Sequence, residues 1–110
     1  MTEQKEKEKE YDTYQEIIDI HLRSSQLVVF SKTTCGYCVV AKEAIRKLSM
    51  EPLVIELDIH NNGKELQKAL FDRTGRFTVP SVWINKECIG GCNETLILIK
   101  KGLFLKKLVQ

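Results

Sequence analysis

The sequence predicts an α/β chain built on a central mixed sheet of about four strands, flanked by helices on both faces. Three observations lead there. Two compact apolar runs, 26–30 and 53–57, are separated by a segment of helical periodicity, and a strand–helix–strand unit makes a parallel pair with a right-handed crossover. Two shorter runs, 82–84 and 88–89, are linked so closely that they must lie antiparallel. Segments of helical spacing stand before, between and after these strands.

In chain order, Tyr14, Ile17, Ile18, Ile20 and Leu22 fall near helical spacing and predict a first helix over 11–23. The run 26–30, QLVVF, is β-branched in the middle, as a strand buried on both faces would be. Over 38–48, apolar residues recur at Val40, Ala41, Ala44, Ile45 and Leu48, so an amphipathic helix starts at or just after Cys35. Pro52 marks a break before the second strand. Asn61-Asn62-Gly63 reads as a turn into a helix with Leu66, Ala69 and Leu70 on its inner side, ended by Gly75. The third and fourth strands meet across Asn85-Lys86. After Gly90-Gly91, the spacing of Leu96, Ile99, Leu103, Leu105 and Leu108 predicts one helix running to the end.

A chain of 110 residues is expected to form one domain, placed at 11–110. Residues 1–10, MTEQKEKEKE, read as a charged, flexible, solvated extension. They lack the apolar stretch of a signal peptide, and four glutamates argue against a mitochondrial transit peptide. A cytoplasmic location is expected, where thiols stay reduced. The net charge of +2 is too small to argue for nucleic acid or an anionic membrane, and no apolar run approaches a membrane span. With 43% hydrophobic residues the core needs no staples. Four cysteines in a reducing compartment are therefore candidates for catalysis or metal rather than for cross-links.

Thr33-Thr34-Cys35-Gly36-Tyr37-Cys38 sits where the first strand hands over to a helix. A helix N-terminus presents unpaired N–H groups and partial positive charge, which favour the thiolate, the nucleophile of disulfide exchange. Lys32 could add a cation beside the same sulfur. Cys38, one turn inside, would be less exposed and placed to attack a mixed disulfide formed at Cys35. The spacing thus casts Cys35 as the attacking thiol and Cys38 as the resolving one. A zinc site uses the same spacing and would recruit Cys88 and Cys92. The two pairs sit in different contexts, however, one opening a helix and the other flanking Gly90-Gly91. The position directly after a buried strand suits a redox pair better.

Three separated motifs, VVFSKTTCGYC at 28–38, TVP at 78–80 and IGGC followed by Asn93 and Glu94, occur in an order that resembles the glutaredoxins, dithiol type. The resemblance spans about residues 27 to 108. It implies a thioredoxin-like fold and a glutathione-dependent thiol–disulfide oxidoreductase acting on protein–glutathione mixed disulfides and protein disulfides. Cys35 and Cys38 would be the catalytic pair and form the redox-active disulfide. Lys32 and Tyr37 would line the glutathione groove, and Gln67 would approach the glycine carboxylate. The backbone of Val79, between Thr78 and a cis Pro80, would pair with the cysteinyl part of glutathione. Beyond Gly91, the amides of Cys92 and Asn93 would take the γ-glutamyl carboxylate, and Glu94 would face the amino group. Glutathione is then the co-substrate, glutathione reductase an indirect partner, and the chain a monomer. Family-typical potentials of about −200 to −230 mV would let the glutathione pool drive the cycle.

The chain also departs from the pattern. Many dithiol relatives carry proline where Gly36 stands. Relatives with a small residue there include some that hold a [2Fe-2S] cluster between two protomers through the first thiol and glutathione. A cluster-binding dimer, carrier or sensor, is thus the alternative reading, with Cys35 as its ligand. Many relatives have a basic residue at one or both of the positions of Phe77 and Ser81, a role left to Arg73 or Arg76. Cys88 and Cys92 read as a buried small residue and a turn cysteine, or else as a regulatory oxidation site. His21 and His60 are expected at the surface, and Phe30 and Trp83 in the core.

Overall fold

The computed structural model describes residues 3–110. Along the chain, α1 (Glu3–Ser24) leads to β1 (Leu27–Ser31), α2 (Gly36–Arg46) and β2 (Leu53–Glu56). Then come α3 (Gly63–Thr74), β3 (Ser81–Ile84), β4 (Glu87–Gly90), α4 (Cys92–Lys100) and α5 (Phe104–Leu108). The strands lie in the order β2-β1-β3-β4. β1 runs parallel to β2, with Val28 opposite Leu53, and antiparallel to β3, with Val28 opposite Trp83. β3 and β4 form an antiparallel hairpin.

All five residues of β1 are buried, because this strand carries helices on both faces. Strand periodicity splits its side chains between two cores. Val28 and Phe30 pack with Ile18 and Leu22 of α1 and with Leu66, Ala69 and Leu70 of α3. Leu27 and Val29 pack on the other side with Ile45 of α2, Val82 and Ile84 of β3, and Phe104 and Leu108 of α5. Phe30 and Trp83 are core residues and meet edge to face.

The first helix starts earlier than its apolar spacing indicates. Residues 3–10, read as part of a flexible extension, are helical, while residues 1 and 2 lie outside the described residues. Glutamate, lysine and glutamine have high intrinsic helix propensity, and apolar spacing marks only the length of helix that is buried. A second helix tie comes from Arg73, which donates to the Gln15 carbonyl at 3.0 Å and to Asp19 Oδ1 at 2.7 Å. It also bonds the Gln15 side chain.

The C-terminal helix is broken where one continuous helix was predicted. Gly102 adopts φ 71°, its N–H bonds Ile99 O at 3.0 Å, and Leu103 N–H bonds Leu98 O at 2.9 Å. This paired Schellman closure satisfies the last carbonyls of α4 and redirects the chain. Phe104 and Leu108 are then buried, whereas Leu96 and Leu105 are exposed. Val40 is likewise exposed; the buried face of α2 is Cys38, Ala41 and Ile45. The hairpin turn places both Asn85 and Lys86 at positive φ, 49° and 69°, the primed geometry that matches strand twist. Asn85 Nδ2 also donates to Lys107 O at 2.9 Å, pinning α5 to the sheet. Among the described residues, no helix is long and apolar enough to cross a membrane.

Gly63 opens α3 in contact with the end of β2. A Cβ built there would lie 1.7 Å from Leu57 O, whereas one built on Gly36 would meet nothing within 4 Å. We expect Gly63→Ala to cost about 3 kcal/mol of stability and Gly36→Ala less than about 0.5 kcal/mol. Urea midpoints of the two variants check this contrast.

Candidate functional site

β1 ends at Ser31, and residues 32–34 carry the chain to α2. Asp58 braces this loop by accepting from Thr33 N–H at 3.0 Å and from the Thr33 hydroxyl. Those two bonds hold the Asp58 carboxyl below its usual range. Cys35 is the N-cap of α2, in extended conformation at φ −97° and ψ 116°. Its Sγ accepts from Cys38 N–H at 3.3 Å, and its own N–H donates to Lys32 O at 3.2 Å. Helix dipole and cap geometry thus converge on one sulfur.

The two thiols at the start of α2 are not equivalent. Cys35 is partly exposed, and Cys38 is fully buried. Burial pushes the Cys38 thiol up to about 11, with a further rise from its hydrogen bond to Cys35. The neighbouring Lys32 backbone and Ser31 side chain act in the opposite sense. Cys38 is therefore protonated at neutral pH. The geometry makes one thiol accessible and keeps the other in reserve.

Facing Cys35, the Val79–Pro80 peptide bond is cis, and the thiol lies 3.7 Å from Val79 O. Val79 and Pro80 form one wall of a groove of about 380 Å³, with Thr78 at its lip. Tyr37, exposed at the start of α2, borders it on one side. The turn and first residues of α4, Gly91, Cys92, Asn93 and Glu94, close the other. Segments that are far apart in sequence thus meet around one cavity.

Two glycines permit this approach. A Cβ on Gly91 would lie 3.3 Å from Pro80 O. Gly90, at φ 117°, would push a Cβ to 2.7 Å from the Glu94 side chain. Glu94 Oε1 accepts from Gly91 N–H at 2.6 Å and from Arg76 Nη1 at 2.8 Å. The Arg76 guanidinium, with the Gly91 N–H second, draws the Glu94 carboxyl down to about 2. Burial pushes the Cys92 thiol up, with the charges at Cys35 and Glu94 adding to it.

Lys32 and Gln67 stand outside the lining of this groove. Gln67 Nε2 donates to Phe77 O at 2.7 Å, so it fastens α3 to the segment leading into Val79. Of the two arginines considered as replacements for the missing basic residues, Arg73 is held by α1 while Arg76 lines the groove. Phe77 is exposed and meets Phe71 edge to face, and Ser81 accepts from Trp83 Nε1 at 2.9 Å. Cys88 lies 3.9 Å from the Ser81 hydroxyl and packs against the α1/α3 core. His21 meets the edge of Phe30, and His60 Nδ1 accepts from Asn62 N–H. Among the described residues no three of His, Cys, Asp and Glu converge as a metal site, so the cysteine pairs do not join. The Arg76–Glu94 pair was not legible from spacing, since its members are 18 apart; a glutamate three residues after a glycine N-cap was the available signal.

A mixed sheet with helices on both faces, a dithiol at the start of the helix after β1 and a cis proline opposite define a thioredoxin-like protein. The profile described as Glutaredoxin matches residues 27–89. The chain is 42% identical over 87 residues to glutaredoxin-C4, chloroplastic, of Oryza sativa subsp. japonica, covering 79% of this chain and 65% of that one. It is 41% identical over 87 residues to a glutaredoxin of Vernicia fordii, covering 79% and 84%. Against the crystal structure of a buckwheat glutaredoxin–glutathione complex the TM-score is 0.88 at 35% identity, covering 93% of each chain. The chain belongs to the glutaredoxin family. It spans 65% of the rice relative and 51% of monothiol glutaredoxin-S12, chloroplastic, of Arabidopsis thaliana.

Removing the Glu94 carboxylate should expose its part in the turn. Its folded-state value lies below the ordinary 4.5, so its contribution is present above that value and is lost as pH falls through about 2. Because the side chain is half exposed, solvent screening leaves about 1 kcal/mol, the scale of a helix cap. We expect Glu94→Ala to be less stable by that amount at neutral pH, with the gap closing on acidification. Urea titrations along a pH series measure it.

Proposed function

We propose that this chain is a glutathione-dependent thiol–disulfide oxidoreductase whose principal substrates are protein–glutathione mixed disulfides. The observation that carries this reading is the asymmetry of the dithiol. A partly exposed Cys35 lies 3.7 Å from the carbonyl of Val79, which lines the groove, while a fully buried Cys38 sits one turn behind it.

Cys35 sulfur attacks the glutathione sulfur of the mixed disulfide. A Cys35–glutathione disulfide forms, the substrate's S–S bond breaks, and the protein thiolate departs and takes up a proton. A second glutathione then attacks the glutathione sulfur at Cys35, releasing oxidised glutathione and restoring the thiol. For protein disulfides, Cys35 attacks one sulfur and frees the first substrate thiolate; Cys38 then attacks Cys35 Sγ, the second substrate thiolate leaves, and the Cys35–Cys38 disulfide remains for glutathione to reduce. Such exchange is driven by the glutathione poise of a reducing compartment such as the cytosol.

The groove suits the glutathionyl half. Val79 N–H makes no hydrogen bond within the described residues, so an extended peptide can pair with it as an added strand. The first turn of α4 leaves the Cys92 and Asn93 N–H groups without intrahelical acceptors, which suits a carboxylate. Arg76 adds a cation and Glu94 an anion beside it, matching the zwitterionic γ-glutamyl end. The neighbouring buckwheat structure is described as a glutathione complex, which supports the same occupant here.

The cluster-bound dimer is a second reading, favoured by the open surface around Gly36 and the partial exposure of Cys35. One chain supplies Cys35 alone; a second copy and glutathione would complete the ligand set. Brown colour in protein purified anaerobically with glutathione tests it.

Turnover of a glutathionylated peptide, coupled to glutathione reductase, tests the main reading. We expect Cys35→Ser to lose all activity and Cys38→Ser to keep most of it. Arg76→Ala should raise KM several-fold at nearly constant kcat, the scale of about 1 kcal/mol for one exposed charge contact. Continued turnover by Cys35→Ser would end the proposal.

A further inference from the structure

Phe71 of α3 and Phe77 belong to neither of the two cores. They are exposed at 41% and 54% and meet edge to face, with ring centroids 5.4 Å apart. Gln67, one turn before Phe71 on the same side of α3, donates to the Phe77 carbonyl at 2.7 Å. Phe77 is thus held by its backbone and by its ring, while half of its surface stays open to solvent. It directly precedes Thr78, the residue at the lip of the groove.

The direction of a bound peptide decides what reaches that ring. Gly91, at the start of α4, lies against Pro80, where a Cβ would come within 3.3 Å of Pro80 O. With the γ-glutamyl end at α4, as proposed above, that end of the peptide lies beside Pro80. A strand added antiparallel to Val79 then runs back toward Thr78 and Phe77. The residue after the cysteine is carried about 3.3 Å further, past the lip and up to Phe77. The Phe77 carbonyl is already taken by Gln67, so the ring makes the contact there.

The two arginines that flank this segment are turned elsewhere. Arg76 reaches Glu94 Oε1 at 2.8 Å, on the α4 side, and Arg73 reaches Asp19 Oδ1 of α1 at 2.7 Å. Within the lining of the groove Arg76 is the one cation, and Lys32 stands outside that lining. An aromatic ring offers a carboxylate no hydrogen bond and strips water from it, which is costly. The same ring gains from covering an apolar group.

We infer that Phe77, backed by Phe71, is the specificity-determining residue at the C-terminal end of the groove, and that this end prefers an uncharged, apolar group to a free carboxylate. The substrate class is then γ-glutamyl-cysteinyl peptides blocked or extended beyond the cysteine, with glutathione itself a member that is accepted but not favoured. The inference deepens the function proposed above and rests on it.

The test uses one peptide in two mixed disulfides, with glutathione and with glutathione esterified by ethanol at its glycine. Each is mixed with reduced protein, and release of the peptide thiol is followed by acid quench and mass spectrometry. Each second-order rate constant is divided by the uncatalysed rate with dithiothreitol, and the ester-to-acid ratio is taken. We expect a ratio of about three in the wild type, the scale of one covered methylene. Phe77→Arg is expected to invert it to about one fifth, the scale of one exposed charge contact. Phe77→Tyr, which keeps the ring, should hold the wild-type ratio, and Phe71→Ala should lower it toward one. A wild-type ratio of one or below would show that the free carboxylate is tolerated or read, by Lys32 for example, and would overturn the inference while leaving the parent reading intact. A ratio above one that Phe77→Arg does not move would overturn it as well. Release from neither mixed disulfide would remove the parent reading, and this one with it.

Discussion

At the start of α2 a sulfur stands where a serine or aspartate oxygen usually caps a helix. The 3.3 Å contact from Cys38 N–H to Cys35 Sγ sets the direction of the reactive thiol and the depth of its partner together. It holds only while β1 delivers Cys35 to that point and Asp58 keeps the intervening loop in place. The register of β1 matters for the same reason. A slip of one residue would exchange Val28 and Phe30 with Leu27 and Val29 between the two cores and turn Ser31 away from α2.

Around that sulfur the remaining parts of the site are delivered by segments that have other structural duties. Gln67 is held at the carbonyl of Phe77 and so steadies the approach to Val79. Gly90 and Gly91 let the start of α4 come up to Pro80. Glu94 caps that helix and, in the same position, holds Arg76 at the groove. The shape of the groove and local stability therefore draw on the same atoms.

Much of the fold was legible because its signals are local. The β-branched run of β1, the glycine after α3 and the alternation of strands with helical segments each report on neighbours in sequence. The thiol pair and its unequal burial were legible too, since a cap position and a position one turn inside follow from helix geometry. Elements set by propensity or backbone closure were less so. Residues 3–10 are helical without an apolar face to announce it. The Schellman closure at Gly102 divides a leucine pattern that looks continuous. Contacts between distant residues were hidden altogether. Arg76 and Glu94 carry no mark of their pairing, and nothing in the sequence ties Gln67 to the carbonyl of Phe77.

The unequal roles of the two thiols are the central claim, and identifying the sulfur that first carries glutathione tests them most directly. Reduced protein would be mixed with oxidised glutathione, quenched in acid within milliseconds, digested, and the adduct located by mass spectrometry. The expected result is a glutathione adduct on Cys35, retained in Cys38→Ser, with Cys38 found only as thiol or in disulfide with Cys35. A first adduct on Cys38 would contradict the assignment of attack to the exposed cap sulfur and reserve to the buried one.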